Sequence, residues 1–145
     1  MKKVLIYADG SSIGNPGPGG WCGIIIYNNN RKVISGGEPY TTNNRMELTA
    51  VIESLEALKE PCEVYLYTDS NYVVQGLKIW LDNWMSKGWK TSSGKDVLNR
   101  DLWEKLNRLR SIHRIVPNWI KGHNKDPLNE ECDRIAKREA MKFKG

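Results

Sequence analysis

Three apolar runs follow one another before any helical repeat begins in this 145-residue chain, and that order limits the fold more than any other feature. The runs are Lys3–Ala8, Gly20–Asn28 and Lys32–Gly36, each of strand length. Asn28-Asn29-Asn30 between the second and third is hairpin chemistry, since Asn tolerates the left-handed backbone of a tight turn. The glycine-rich Gly10–Gly20 stretch reads as loop. Thr41-Thr42-Asn43-Asn44 then offers capping side chains, and Leu48, Val51, Ile52, Leu55 and Leu58 recur at helical spacing before Pro61.

Further on, Glu63–Thr68 alternates as a strand. Tyr72, Val73 and Leu77 predict a short helix and Ile79–Trp84 another, while Gly88–Gly94 is polar and irregular. Leu102, Leu106 and Leu109 mark a helix, Ile115–Ile120 a strand and Asn129–Lys142 a final helix. Antiparallel strands followed by strand–helix alternation predict an α/β fold: a five-stranded mixed sheet, three antiparallel strands then two parallel, flanked by helices.

This length suits a single domain over residues 1–145 with a core of its own. No apolar run approaches the roughly 20 residues of a membrane span. The apolar run after Lys2-Lys3 is too short for a secretion signal, so a cytoplasmic protein is expected. Cys22, Cys62 and Cys132 are odd in number and far apart, which reads as buried thiols in a reducing compartment. No heptad seam is present, and a monomer is the expectation. The net charge of +5 is uneven: 6 basic against 8 acidic side chains in residues 1–69, and 16 against 9 in residues 70–145. A basic surface of that kind suits phosphate, although solubility alone also accounts for it.

Four acids sit where solubility does not explain them. Asp9 ends the strand Val4–Ala8 and Asp69 ends Val64–Thr68, each with the parity of a preceding tyrosine, Tyr7 or Tyr67, so both carboxylates leave the sheet on one face. Glu47 shares a helix face with Val51 and Ser54, at the edge of the apolar stripe. Asp133 shares a face with Ala136 and Ala140, small residues that permit close helix packing. Any one of these could be a cap or a turn. Four converging carboxylates repel one another unless a cation neutralises them, and oxygen ligands select hard ions such as Mg²⁺ or Mn²⁺. Two such ions about 3.5–4 Å apart would stabilise both oxygens of a phosphodiester displacement. A second constellation interleaves Trp80, Trp84 and Trp89 with Lys78, Lys87, Lys90 and Lys95, which suits stacking on sugars and bases, while the spacing of Trp80 and Trp84 equally suits helix packing.

Taken together, the motifs resemble bacterial type 1 ribonuclease H over essentially the whole chain. Tyr7-Ala8-Asp9-Gly10-Ser11, Gly14-Asn15-Pro16-Gly17-Pro18-Gly19-Gly20-Trp21, Thr41-Thr42-Asn43-Asn44-Arg45-Met46-Glu47-Leu48, Thr68-Asp69-Ser70, Gly88-Trp89-Lys90-Thr91, Asp101-Leu102-Trp103, Lys121-Gly122-His123 and Asn129-Glu130-Glu131-Cys132-Asp133 follow in family order. The resemblance implies endonucleolytic hydrolysis of the RNA strand of an RNA–DNA hybrid, leaving 5′-phosphate and 3′-hydroxyl ends. It implies Asp9, Glu47, Asp69 and Asp133 as metal ligands, with Asp9 shared by both ions, and His123 as the histidine that assists proton movement and product departure. Asn43, Asn44 and Asn71 match positions near the RNA minor groove, and Asn15 and Thr42 match phosphate contacts on the DNA strand. Residues 78–95, including Trp80, Trp84, Lys87 and Lys90, resemble the family's basic handle. Asp82, Met85 and Ser86 make it less basic than in relatives, and Asn124-Lys125-Asp126 departs from the family after His123. A non-catalytic hybrid-binding module, and another nuclease or strand-transfer enzyme of the same carboxylate fold that would cut duplex DNA, are the competing readings.

Overall fold

The computed structural model describes residues 1–121 and 126–144. Strands β1 (Lys2–Ser12), β2 (Gly17–Tyr27) and β3 (Asn30–Thr41) form an antiparallel meander. Asn28, at φ 55°, turns the β2–β3 hairpin as its composition predicts. Helix α1 (Asn43–Glu56) follows, its first turn capped by the Thr42 hydroxyl, which accepts from the Arg45 amide at 3.2 Å. Strand β4 (Cys62–Thr68) lies parallel to β1, and β5 (Arg114–Trp119) parallel to β4, giving the sheet order β3-β2-β1-β4-β5. Pro117 is tolerated because β5 is an edge strand. Helices α4 (Arg100–Ile112) and α5 (Pro127–Met141) complete the cover.

Alternation along β1 sorts its side chains. Val4, Ile6 and Ala8 enter the larger core, with Val51, Ile52 and Leu55 of α1 and with Trp103 and Leu106 of α4. On the other face Tyr7 packs with Cys22 and Ile24 of β2 and with Cys132 and Ala136 of α5. Tyr7 and Tyr67 stack with centroids 4.9 Å apart on adjacent strands, so the two tyrosines that set the parity of Asp9 and Asp69 do share a face. All three cysteines are buried free thiols. Among the described residues no helix is long and apolar enough to cross a membrane.

The glycine-rich stretch differs from its expectation as loop. Gly10 pairs with Trp21 and Ser11 with Gly20 in a continuous ladder, leaving only Ile13–Pro16 between the strands. Two of these glycines are there for close approach: a Cβ at Gly20 would sit 2.1 Å from the Ala136 carbonyl oxygen on α5, and Gly10 meets α1 in the same way.

The second difference is the stretch read as two separate helices. It is one helical run in which α2 (Asn71–Gln75) passes through a π-helical turn at Gly76–Trp80 into α3 (Leu81–Ser86). Trp80 and Trp84 pack on the fully buried Trp103, with centroids 6.4 and 5.3 Å away. Gly76 makes room for this ring, since a Cβ there would lie 2.0 Å from it. Gly76→Ala is expected to lose about 1–3 kcal/mol by overpacking, because Trp103 is fully buried and held among the rings of Tyr72, Trp80 and Trp84. Thermal unfolding checks this; an unchanged melting temperature would show that the ring can move.

Candidate active site

Asp9 lies inside β1, which runs on to Ser12 instead of ending at Ala8 as expected, Asp69 directly follows β4, and Glu47 stands on the second turn of α1; the three meet because β1 and β4 are adjacent and parallel. Asp9, Asp69 and Glu47 thereby converge, with one oxygen of each within 4.8 Å of the others. Asp9 is 3% exposed and Glu47 8%, so neither charge has water to dissipate it. The Gly10 amide donates to Asp9 Oδ1 at 2.9 Å and also to the Glu47 carboxylate, tying the two acids to one backbone group. Asp9 Oδ2 is buried with no hydrogen-bond partner among the described residues.

Burial first, and the neighbouring Glu47 carboxylate second, push Asp9 up to about 11. Burial likewise pushes Glu47 up to about 7, against the neighbouring Asp9 carboxyl and the Gly10 amide, which favour its ionised form. Asp69 is also raised, by burial and then by the charge of Asp133. An orphan carboxylate oxygen facing two more acids is a poor arrangement for a bare protein and a good one for a hard divalent cation. The donor set therefore fits the metal that the sequence implies.

Asp133 lines the same cavity of about 400 Å³, together with Asn43, Asn44 and Asn71. It stands outside the tight group of three, and its Oδ2 is 3.0 Å from Lys137 Nζ. Asn43 Oδ1 accepts from the Ser12 amide at 2.7 Å and the Ser12 hydroxyl at 2.9 Å, so its NH₂ is the group left to donate. Asn15 Oδ1 accepts from the Asn43 amide at 3.0 Å, and Asn15 and Thr42 line an adjoining cavity with Asn44. Trp80, Trp84, Lys87 and Lys90 line a third, on the handle. There Lys90 is paired with Asp96 at 2.6 Å, and Asp82 with Arg110 at 2.8 Å on α4. His123 lies outside the described residues.

Sequence reasoning passed over Ser70, Asn99 and Lys137. Ser70 caps α2, accepting from the Val73 amide at 3.2 Å, and reaches Glu47. Its place directly after Asp69 was the available signal. Asn99, at φ 61°, precedes α4, donates to the Tyr72 hydroxyl at 3.2 Å and accepts from Arg45 at 3.3 Å. No pattern in the chain marked it.

The family model described as RNase H matches residues 1–141. A protein named Ribonuclease H from Hahella chejuensis is 56% identical over 94% of this chain and 92% of its own length. Among solved structures, LC9-RNase H1, a type 1 RNase H with the type 2 active-site motif, superposes with TM-score 0.88 at 31% identity, over 99% of this chain and 74% of that one. LC11-RNase H1, solved in complex with RNA/DNA hybrid, superposes with TM-score 0.70 at 23% identity, over 98% and 99% of the two chains.

Proposed function

This chain belongs to the ribonuclease H family, and on that premise we propose that it is an endonuclease hydrolysing the RNA strand of RNA–DNA hybrids, with Asp9, Glu47, Asp69 and Asp133 holding divalent metal. The observation that carries this reading is the convergence of two buried carboxylates, Asp9 and Glu47, and the half-buried Asp69 on a cavity walled by asparagine amides, with one oxygen of Asp9 left without a partner among the described residues. Mg²⁺ is the resident ion and Mn²⁺ a substitute. The enzyme works as a single-domain monomer in the cytoplasm, leaving 5′-phosphate and 3′-hydroxyl ends. When bound, the metal supplies Lewis-acid stabilisation of the charge that develops on the attacking and leaving oxygens.

The chain's own residues do the rest. Gly10 holds Asp9 and Glu47 in one orientation through its single amide. Asn43, Asn44 and Asn71 donate to the 2′-hydroxyl edge of the RNA strand, the feature that separates RNA from DNA. Asn15 and Thr42 take a phosphate of the DNA strand. Trp80 and Trp84 offer ring surface to sugars, and Lys87 and Lys90 attract phosphate. His123 moves a proton at the departing oxygen, a task suited to an imidazole.

With Mg²⁺, purified protein is expected to cut the RNA of a hybrid, to spare the same RNA as a single strand, and to stop when a chelator is added. An intact hybrid after incubation with Mg²⁺ would remove the catalytic assignment.

A further inference from the structure

Every cation near the acidic cavity bears on how a metal enters it, and one is already in contact with a carboxylate there. Lys137 lies one turn beyond Asp133 on α5, and its Nζ is 3.0 Å from Asp133 Oδ2. Asp9, Glu47 and Asp69 form the tight group of three, and Asp133, which lines the same cavity, stands apart from them. The Lys137 side chain is 65% exposed, so it is free to swing into water when Asp133 takes another partner. Its pull on Asp133 is that of a single charge in a largely solvated setting, which a divalent ion held by several carboxylates outcompetes.

We propose that Lys137 is a displaceable internal counter-ion, a positioning residue that pairs with Asp133 in the metal-free protein and must release it when metal binds. This rests on the reading that the four carboxylates form the metal site. Two consequences follow from the charge. The lysine neutralises part of the repulsion among the carboxylates before metal binds, and it weakens metal affinity by the cost of breaking its own pair.

Binding of Mn²⁺ to the full metal-free chain, measured by calorimetry without substrate, tests this. Lys137→Met is expected to tighten binding by about two- to fivefold, the range of an exposed ion pair. Lys137→Arg, which keeps the charge and the reach, is expected to bind as wild type does. Equal affinities for the Met variant and wild type, or weaker binding by the Met variant, would overturn the proposal. The metal site is judged separately: wild-type protein that takes up no Mn²⁺, or takes it up equally after Asp9→Asn, overturns the carboxylate site itself and the Lys137 role with it.

Discussion

Asp9→Asn is expected to abolish turnover and, in the same molecule, to raise the stability of the metal-free protein. The amide has the shape of the carboxyl but cannot supply an anionic ligand. Losing several kcal/mol of transition-state stabilisation slows the reaction by at least about a thousandfold. The gain in stability has the same cause. Asp9 is nearly fully buried beside Glu47 and Asp69, and it keeps its proton up to about pH 11. An unfolded chain releases that proton near pH 3.9. Between those two values the native state binds one more proton than the unfolded state, so this carboxyl makes stability fall as pH rises, by about 1.4 kcal/mol per unit. Glu47, pushed up to about 7, contributes with the same sign up to that pH. Asn has nothing to titrate. In chelator, the advantage of Asp9→Asn over wild type is therefore expected to grow by roughly 3 kcal/mol from pH 5 to pH 7, about 5–10 °C in melting temperature. Parallel pH profiles for the two proteins would mean that Asp9 is ionised without metal. Hybrid-cleavage rates on the same preparations check the activity, and retained turnover would sink its role as a ligand.

That conflict between stability and chemistry is also why the acids were legible in the sequence. A carboxylate that directly follows an apolar run is costly to bury, so Asp9 and Asp69 stood out from acids whose solubility explained them, although β1 itself continues past Asp9 to Ser12. Parity did the rest, and the stacked Tyr7 and Tyr67 show why it worked: neighbouring parallel strands keep one register and therefore one face. Glu47 was recognisable from its place at the edge of the apolar stripe of α1, though nothing in the pattern indicated burial to 8%. Asp133 was legible from its spacing to Ala136 and Ala140, but its partner Lys137 looked like any exposed helix charge. The glycines misled for a physical reason. Composition alone does not separate a glycine that turns the chain from one that lets a helix backbone approach a strand. Gly14, at φ +75°, is of the first kind, and Gly10 and Gly20 are of the second. The run from Asn71 to Ser86 was divided because a π-helical turn shifts the apolar spacing, and a 3.6-residue template then finds two segments where one continues.

Gly10→Ala is expected to damage fold and site together, because that missing Cβ is where they meet. A methyl at this position would lie 2.3 Å from both the Glu47 amide nitrogen and the Met46 carbonyl carbon, and 2.7 Å from the Met46 oxygen. All three are backbone atoms, so no rotamer change relieves the contact. Neither side can yield cheaply. β1 is hydrogen-bonded to β2 and β4, and α1 is fixed by Leu48, Val51, Ile52 and Leu55 in the core. Overpacking of this kind costs about 1–3 kcal/mol and sometimes more, and contacts this short against backbone place Gly10→Ala at or above the upper end. What relaxation occurs must move α1 away from β1, which carries Glu47 away from Asp9 and disrupts the hydrogen bonding of the Gly10 N–H that ties the two together. A misplacement of about 1 Å at a reacting centre costs on the order of a hundredfold in rate. Turnover per folded molecule is therefore expected to fall by about that factor even with saturating Mg²⁺ and below the unfolding transition. Gly94→Ala is the control, since a Cβ there meets nothing within 4 Å and only the backbone at φ +82° is strained. It is expected to lose some stability and keep its rate. Were Gly10→Ala to behave like Gly94→Ala, with a wild-type rate per folded molecule, the approach of α1 to β1 would not be what sets the Asp9–Glu47 geometry.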